Sequence, residues 1–232
     1  MDIKRTWHLT NTAGNHIVEV CHNDISQAEA VSRFLIEGLR KSEAVVIFAK
    51  PSLRKAVIDR MSACGLDVQA IKNEGQIKFF DAEFLISSMR ADSILEEQAF
   101  EEYVSTQIEA AQLKYGKVRV FGGMVATLWS TGEYDAAMQL EDFWMNLTQK
   151  LEFSLLCCYS LSNQTPQTYE RALQFICRCH NHLVPVESND LPETNESEEW
   201  IDILGDAWNH VIEKMAESGK SSEQSPSLPI LN

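Results

Sequence analysis

Apolar runs rich in β-branched and aromatic residues alternate along the chain with segments whose apolar positions recur every three or four residues. HIVEVC (16–21), AVVIFA (44–49), IKFFDA (77–82), VRVFG (118–122) and FSLLCCYS (153–160) are the runs. Most are apolar at consecutive positions rather than at alternate ones, which predicts strands covered on both faces. Between them the spacing predicts helices. Asp24 and Gln27 resemble a capping box opening a helix with Ala28, Val31 and Leu35 on one face, closed by Gly38. Pro51 suits the first turn of a second helix, whose Leu53, Val57, Met61 and Cys64 share a face up to Gly65. A long acidic helix is expected over roughly 93–115 with Leu95, Ala99, Ile108 and Ala111 inward, and another carries Leu140, Trp144, Leu147 and Leu151. Thr165-Pro166 starts a last core helix running to about Val184, with a short strand around LVPV after it. The alternation predicts an α/β fold of three α/β/α layers with a mostly parallel central sheet.

Beyond Pro185 the pattern stops. An N-terminal extension (1–14) and a domain (15–187) are followed by an acidic linker (188–197), an amphipathic C-terminal helix (198–217) and a tail (218–232) expected to be disordered. Trp200, Ile201, Leu204, Trp208, Val211 and Met215 form the apolar stripe of that helix. An isolated helix of this length is marginal, so the stripe is a candidate surface for a partner or for a homodimer.

Composition narrows the classes. A chain of 232 residues with 44% apolar content buries one substantial core, and a formal charge of −14 without a basic cluster argues against direct nucleic-acid binding. Nothing approaches the ~18 uninterrupted apolar residues of a membrane span, and the N-terminus lacks the hydrophobic centre of a secretion signal, so the expected location is the cytoplasm. Six cysteines in such a chain read as reduced core thiols.

Chemistry is sparse. A phosphate loop needs G-x-x-x-x-G-K-[ST] between strand and helix, and neither it nor G-x-G-x-x-G occurs, so no cofactor is expected. KPSLRKAV, after AVVIFA, offers Lys50, Arg54 and Lys55 to an anion at a helix start, although ordinary solvated charge is the simpler reading. In ICRCHNH (176–182) helical geometry puts Cys177 and His180 on one face and turns Cys179 and His182 away. A metal would then need further ligands, Cys21 or His22 being the obvious suppliers. A core histidine among buried thiols is the simpler expectation, and no metal or catalytic residue is assigned. Arg119, on a strand, needs an acidic partner if half buried, with Glu141 the candidate. Trp129 and Trp144 read as core more readily than as a ligand cage.

The ordered series His16, Asp24, FLIEGLRKSEAVVIFAKP, GLDVQAIKNEGQIKFFDA, GKVRVFGGMVATLWSTGEYDAAMQLEDFWMNL, FSLLCCYS and ICRCHNHLVP resembles the MEDS sensory domain of methanogens, methylotrophs and a dichloromethane-responsive regulator, over His16 to Pro185. Phe121, Gly122, Met124, Val125, Trp129, Gly132, Leu140, Glu141, Trp144, Asn146, His180 and Pro185 fall on its pattern. The resemblance implies a relative of RecA- and KaiC-like ATPases that has lost the phosphate loop. It also implies a prokaryotic, non-enzymatic sensor of small hydrocarbon derivatives working with a histidine kinase or transcription regulator. The candidate ligand-binding residues, from the resemblance and from the reading of Arg119 together, are His16, Cys21, Asp24, Arg119, Gly122, Gly123, Met124, Trp129, Glu141 and His180. Two positions depart from the pattern, which has an acidic residue where Gly123 stands and an aromatic where Cys21 stands. A ligand-free interaction module, or a degenerate nucleotide-binding protein, is the alternative.

Overall fold

A computed structural model describes residues 7–8, 15–21, 23–92, 94–160, 180 and 182–184. The five predicted runs are all strands: β2 (Asn15–Cys21), β3 (Ala44–Ala49), β4 (Ile77–Asp81), β7 (Val118–Gly122) and β8 (Ser154–Ser160). Two short strands, β1 (Trp7–His8) and β9 (His182–Val184), complete one sheet in the order β1-β9-β2-β8-β7-β3-β4, parallel except for β1. A small antiparallel hairpin of β5 (Arg90–Ala91) and β6 (Ile94–Leu95) stands apart.

Helices cover both faces. On one lie α1 (Asp24–Arg40), α2 (Pro51–Ala63) and α3 (Val68–Glu74), whose Val31, Leu35, Val57 and Met61 pack on Val45, Ile47, Phe121 and Leu156. On the other lie α4 (Ala82–Ser88), α7 (Gly123–Ser130), α8 (Tyr134–Lys150) and a helical run made of α5 (Glu97–Phe100), a π turn (Glu101–Ser105) and α6 (Thr106–Tyr115). This is the expected three-layer α/β/α fold. The C-terminal stripe Trp200–Met215 lies outside the described residues.

Several boundaries differ from expectation for local reasons. The capping box of α1 begins one residue earlier: Asn23 Oδ1 accepts from the Ile25 and Ser26 amides, and Ser26 Oγ accepts from the Asn23 amide. Gly38 does not close α1, which runs through it to Arg40; a Cβ there would meet Arg119 Cδ at 2.7 Å, so the missing side chain makes room for the arginine. The acidic helix starts at Glu97 rather than near 93, because Leu95 is taken up in the hairpin. Its π turn keeps Phe100, Val104 and Ile108, four residues apart, all facing the core. The short strand expected around LVPV is present but starts earlier, at His182, since pairing of His182–Val184 with Ile17–Glu19 satisfies its backbone beside β2; the helix expected from Thr165 lies outside the described residues.

Strand alternation sorts neighbours in sequence into opposite layers. Val18, Leu155, Cys157 and Tyr159 face the α8 layer, whereas Cys21, Leu156 and Cys158 face α1. The adjacent cysteines thus belong to different environments.

Candidate functional site

Between β3 and β7 the chain leaves in opposite senses. β3 continues into α2 on one face and onward to β4; β7 continues into α7 on the other face and back to β8. Such a switch point leaves a crevice outside the carboxyl ends of the strands. Here the crevice is a cavity of about 340 Å³ lined by Asp24 and Gln27 of α1, by Lys50, Ser52, Leu53 and Ala56 around the start of α2, by Gly123, Ala126, Thr127 and Trp129 of α7, and by Tyr134 at the start of α8. The N-cap residues of α2 and α7, Lys50 and Gly122, make no side-chain cap, so amides of both first turns lack that partner beside the cavity. Lys50 Nζ spans the gap to Ser130 Oγ at 3.1 Å. Trp129 stacks edge-on against Tyr134 on one side and Tyr159 on the other, with centroids 4.7 and 5.8 Å away.

Beyond Tyr159 lies a second, fully buried cluster. His16 projects from β2, Cys157 from β8 and Glu141 from α8, and His180 stands just before β9; their relative exposures are 3%, 1%, 0% and 1%. His16 Nε2 is 3.5 Å from Cys157 Sγ and 3.6 Å from Glu141 Oε2, while His180 Nε2 is 3.5 Å from Glu141 Oε1. The Tyr159 hydroxyl donates to Glu141 Oε1, and the two imidazoles lie 4.0 Å apart at 41°. Burial pushes the Glu141 carboxyl above the ordinary glutamate range, opposed in order by His180, Tyr159 and Cys157. On the other side of the sheet the Cys158 thiol is pushed well up, first by its hydrogen bond with Cys21 and then by burial, which keeps it a neutral core thiol.

The residues singled out in the sequence therefore divide. Asp24, Gly123 and Trp129 reach the crevice; His16, Glu141 and His180 reach the buried cluster. Met124 is core, and Gly122 is packed so closely that a Cβ would lie 3.2–3.3 Å from Leu155, Cys157 and Trp144. Cys21 faces the opposite layer from the cluster, so it is no ligand partner for His180. Arg119 stands at the amino end of β7, aligned with Val45 and Ser154, and is paired not with Glu141 but with Glu43 at 2.6 Å and Glu37 at 3.2 Å. The reason is strand alternation: Arg119 points to the α1 side, whereas Glu141 lies on α8, in the opposite layer. Cys157, at the cluster, Tyr159, beside it, and Ser52 and Tyr134, at the crevice, join the site with no local motif that marks them. Alternation along FSLLCCYS separates Cys157 from Cys158, but the adjacency of β2 and β8 has no local signal. Of the basic residues considered, Lys50 lines the crevice, whereas Arg54 is paired with Asp81 at 2.8 Å.

A parallel sheet covered on both faces, with a polar crevice at its switch point and no glycine-rich phosphate loop, defines a three-layer α/β domain of the doubly wound type. Residues 15–181 match the family model of the MEDS domain, the MEthanogen/methylotroph, DcmR Sensory domain, and the chain belongs to that family. A search of curated proteins finds no match. Family membership gives the chain a sensory role in signalling. No helix among the described residues is long and apolar enough to cross a membrane.

Proposed function

We propose that the chain is a non-enzymatic cytoplasmic sensor that holds a small organic molecule in the crevice between β3 and β7 and passes its occupancy to a signalling partner, a histidine kinase or transcription regulator. The observation that carries this is the cavity itself, where Lys50 and the uncapped starts of α2 and α7 meet Leu53, Ala56, Ala126 and Trp129. That lining suits a short apolar body ending in a carboxylate or other oxygen acceptor, held by a cation and helix amides while its carbon skeleton rests on the apolar wall. Descent from a P-loop ATPase would account for six parallel strands with a crevice at their carboxyl ends and no glycine loop beside it.

Thermal-shift titration with a panel of short-chain carboxylates and the matching alcohols tests the reading. A saturating carboxylate should stabilise the protein by about 2.7 kcal/mol at a hundredfold excess over Kd. Removing the charge in Lys50→Met should weaken binding by roughly 1.5–3 kcal/mol, about 10- to 150-fold, as expected for a hydrogen bond to a charged group. Filling the cavity in Ala126→Trp should abolish the response. Absence of any saturable shift across the panel, or shifts unchanged in both variants, would overturn the assignment.

A further inference from the structure

The buried cluster beside Tyr159 has a composition that packing alone does not require. Two imidazoles, a thiol and a carboxyl occupy one interior volume, each nearly inaccessible to water, and one donor atom from each lies within 4.8 Å of the other three. Zinc-type ions take nitrogen, sulfur and carboxylate oxygen at about 2.0–2.3 Å, which sets the donors of a tetrahedral site roughly 3.3–3.8 Å apart. His16 Nε2 stands 3.5 Å from Cys157 Sγ and 3.6 Å from Glu141 Oε2, and His180 Nε2 stands 3.5 Å from the other oxygen, Glu141 Oε1; these separations lie in that range, and a contraction of the set from its 4.8 Å span onto one carboxylate oxygen would close the tetrahedron.

We propose that His16, Glu141, Cys157 and His180 form a closed, four-coordinate site for one divalent transition-metal ion of the zinc class.

The donor set excludes calcium and magnesium, which prefer all-oxygen shells, and the thiolate with two imidazoles favours zinc, cobalt or a similar borderline ion. Charge supports the same choice. A thiolate and a carboxylate in a water-free interior are costly unless neutralised, and a dication balances both. The Tyr159 hydroxyl donating to Glu141 supplies the outer hydrogen bond that holds a ligating carboxylate in place. Four protein donors leave no open position, so the site holds structure or senses the metal and does not activate water. Its ligands come from β2, β8, α8 and the residue leading into β9, so an ion would tie that last segment to α8. Trp129, which rests on Tyr159, links the cluster to the crevice wall, yet the proposal stands whether or not the crevice binds a ligand.

Cobalt(II) titrated into the purified full-length chain is the test, with zinc competition and Cys158→Ser as a control from the opposite face of the sheet. One cobalt per chain should produce intense visible bands of tetrahedral cobalt and a thiolate-to-cobalt charge-transfer band in the near ultraviolet. Zinc should displace it, Cys157→Ser should lose the charge-transfer band, and Cys158→Ser should keep it. X-ray absorption of the zinc-loaded wild-type chain, which needs no variant to fold, should show one sulfur and three nitrogen or oxygen neighbours. A titration with no saturable spectrum, a sulfur-free shell, or a charge-transfer band that survives Cys157→Ser would overturn the site.

Discussion

Gly123→Glu should destabilise the protein by about 3 kcal/mol or more, and Gly123→Ala by about 2–3 kcal/mol, values at the upper end for overpacking a tight interior. The cause is distance. A Cβ at this position would lie 2.4 Å from the Phe48 carbonyl oxygen and 2.7 Å from Phe121 Cε1, both belonging to buried residues. The carbonyl is backbone of β3 and Phe121 is wedged under α1, so neither yields without moving the sheet. Helix propensity would favour alanine over glycine by about 1 kcal/mol in a helix interior, too little to offset the clash, and a glutamate adds the cost of placing charge there. Urea denaturation followed by circular dichroism measures the effect; an unchanged midpoint in Gly123→Ala would show that α7 and β3 are not in close contact. With α7 starting so near β3, the crevice wall here is backbone, and the Gly123→Ala variant, where it folds, should also lose the carboxylate response of the crevice.

Arg119→Met should cost about 2–3 kcal/mol while leaving crevice binding and the cobalt spectrum intact. Arg119 donates to Glu43, Glu37 and the Phe34 carbonyl and lies 5.0 Å from the centre of the Phe34 ring. Removing one partner of a buried pair costs about 3–5 kcal/mol because the other charge is stranded. Here Glu43 is only 15% exposed but Glu37 is 53% exposed, so solvent relieves the second carboxylate and the smaller figure applies. Arg119→Met combined with Glu43→Gln should recover part of the loss, since no carboxylate then remains buried alone. The pH dependence has a definite sign. Glu37 is held below the ordinary glutamate range by its hydrogen bond from Lys41 first and from Arg119 second. Stability from that pairing is present above the unfolded-state value and lost as pH falls through the lowered one. The gap between wild type and Arg119→Met should therefore narrow in acid, by a small amount because Glu37 is half exposed. If Arg119→Met instead removed the ligand response at unchanged stability, its role would be recognition and not the closing of the sheet's amino edge.

Hydrophobic periodicity, a local property, was enough to place five strands, the helices α1, α2 and α8 with the acidic helical run, and the three-layer arrangement, because a strand buried on both faces and a helix with one apolar face differ over a handful of residues. The missing glycine loop was likewise readable from residue types alone. The cluster was not. His16 and Cys157 are 141 positions apart, and they meet only because β8 returns beside β2 in the sheet order. The partner of Arg119 turned on the same kind of fact: strand alternation aims it at α1, and Glu43 and Glu37 are nearer than Glu141 for reasons of layer and not of spacing. Gly123, read as a departure from a pattern, acquires its meaning from the 2.4 Å approach to Phe48. Local sequence thus determined the five long strands and the helices that cover them; the short β1 and the β5–β6 hairpin depended on tertiary pairing, and crossover connections, which depend on how whole layers pack, decided which side chains share the crevice and which converge in the interior.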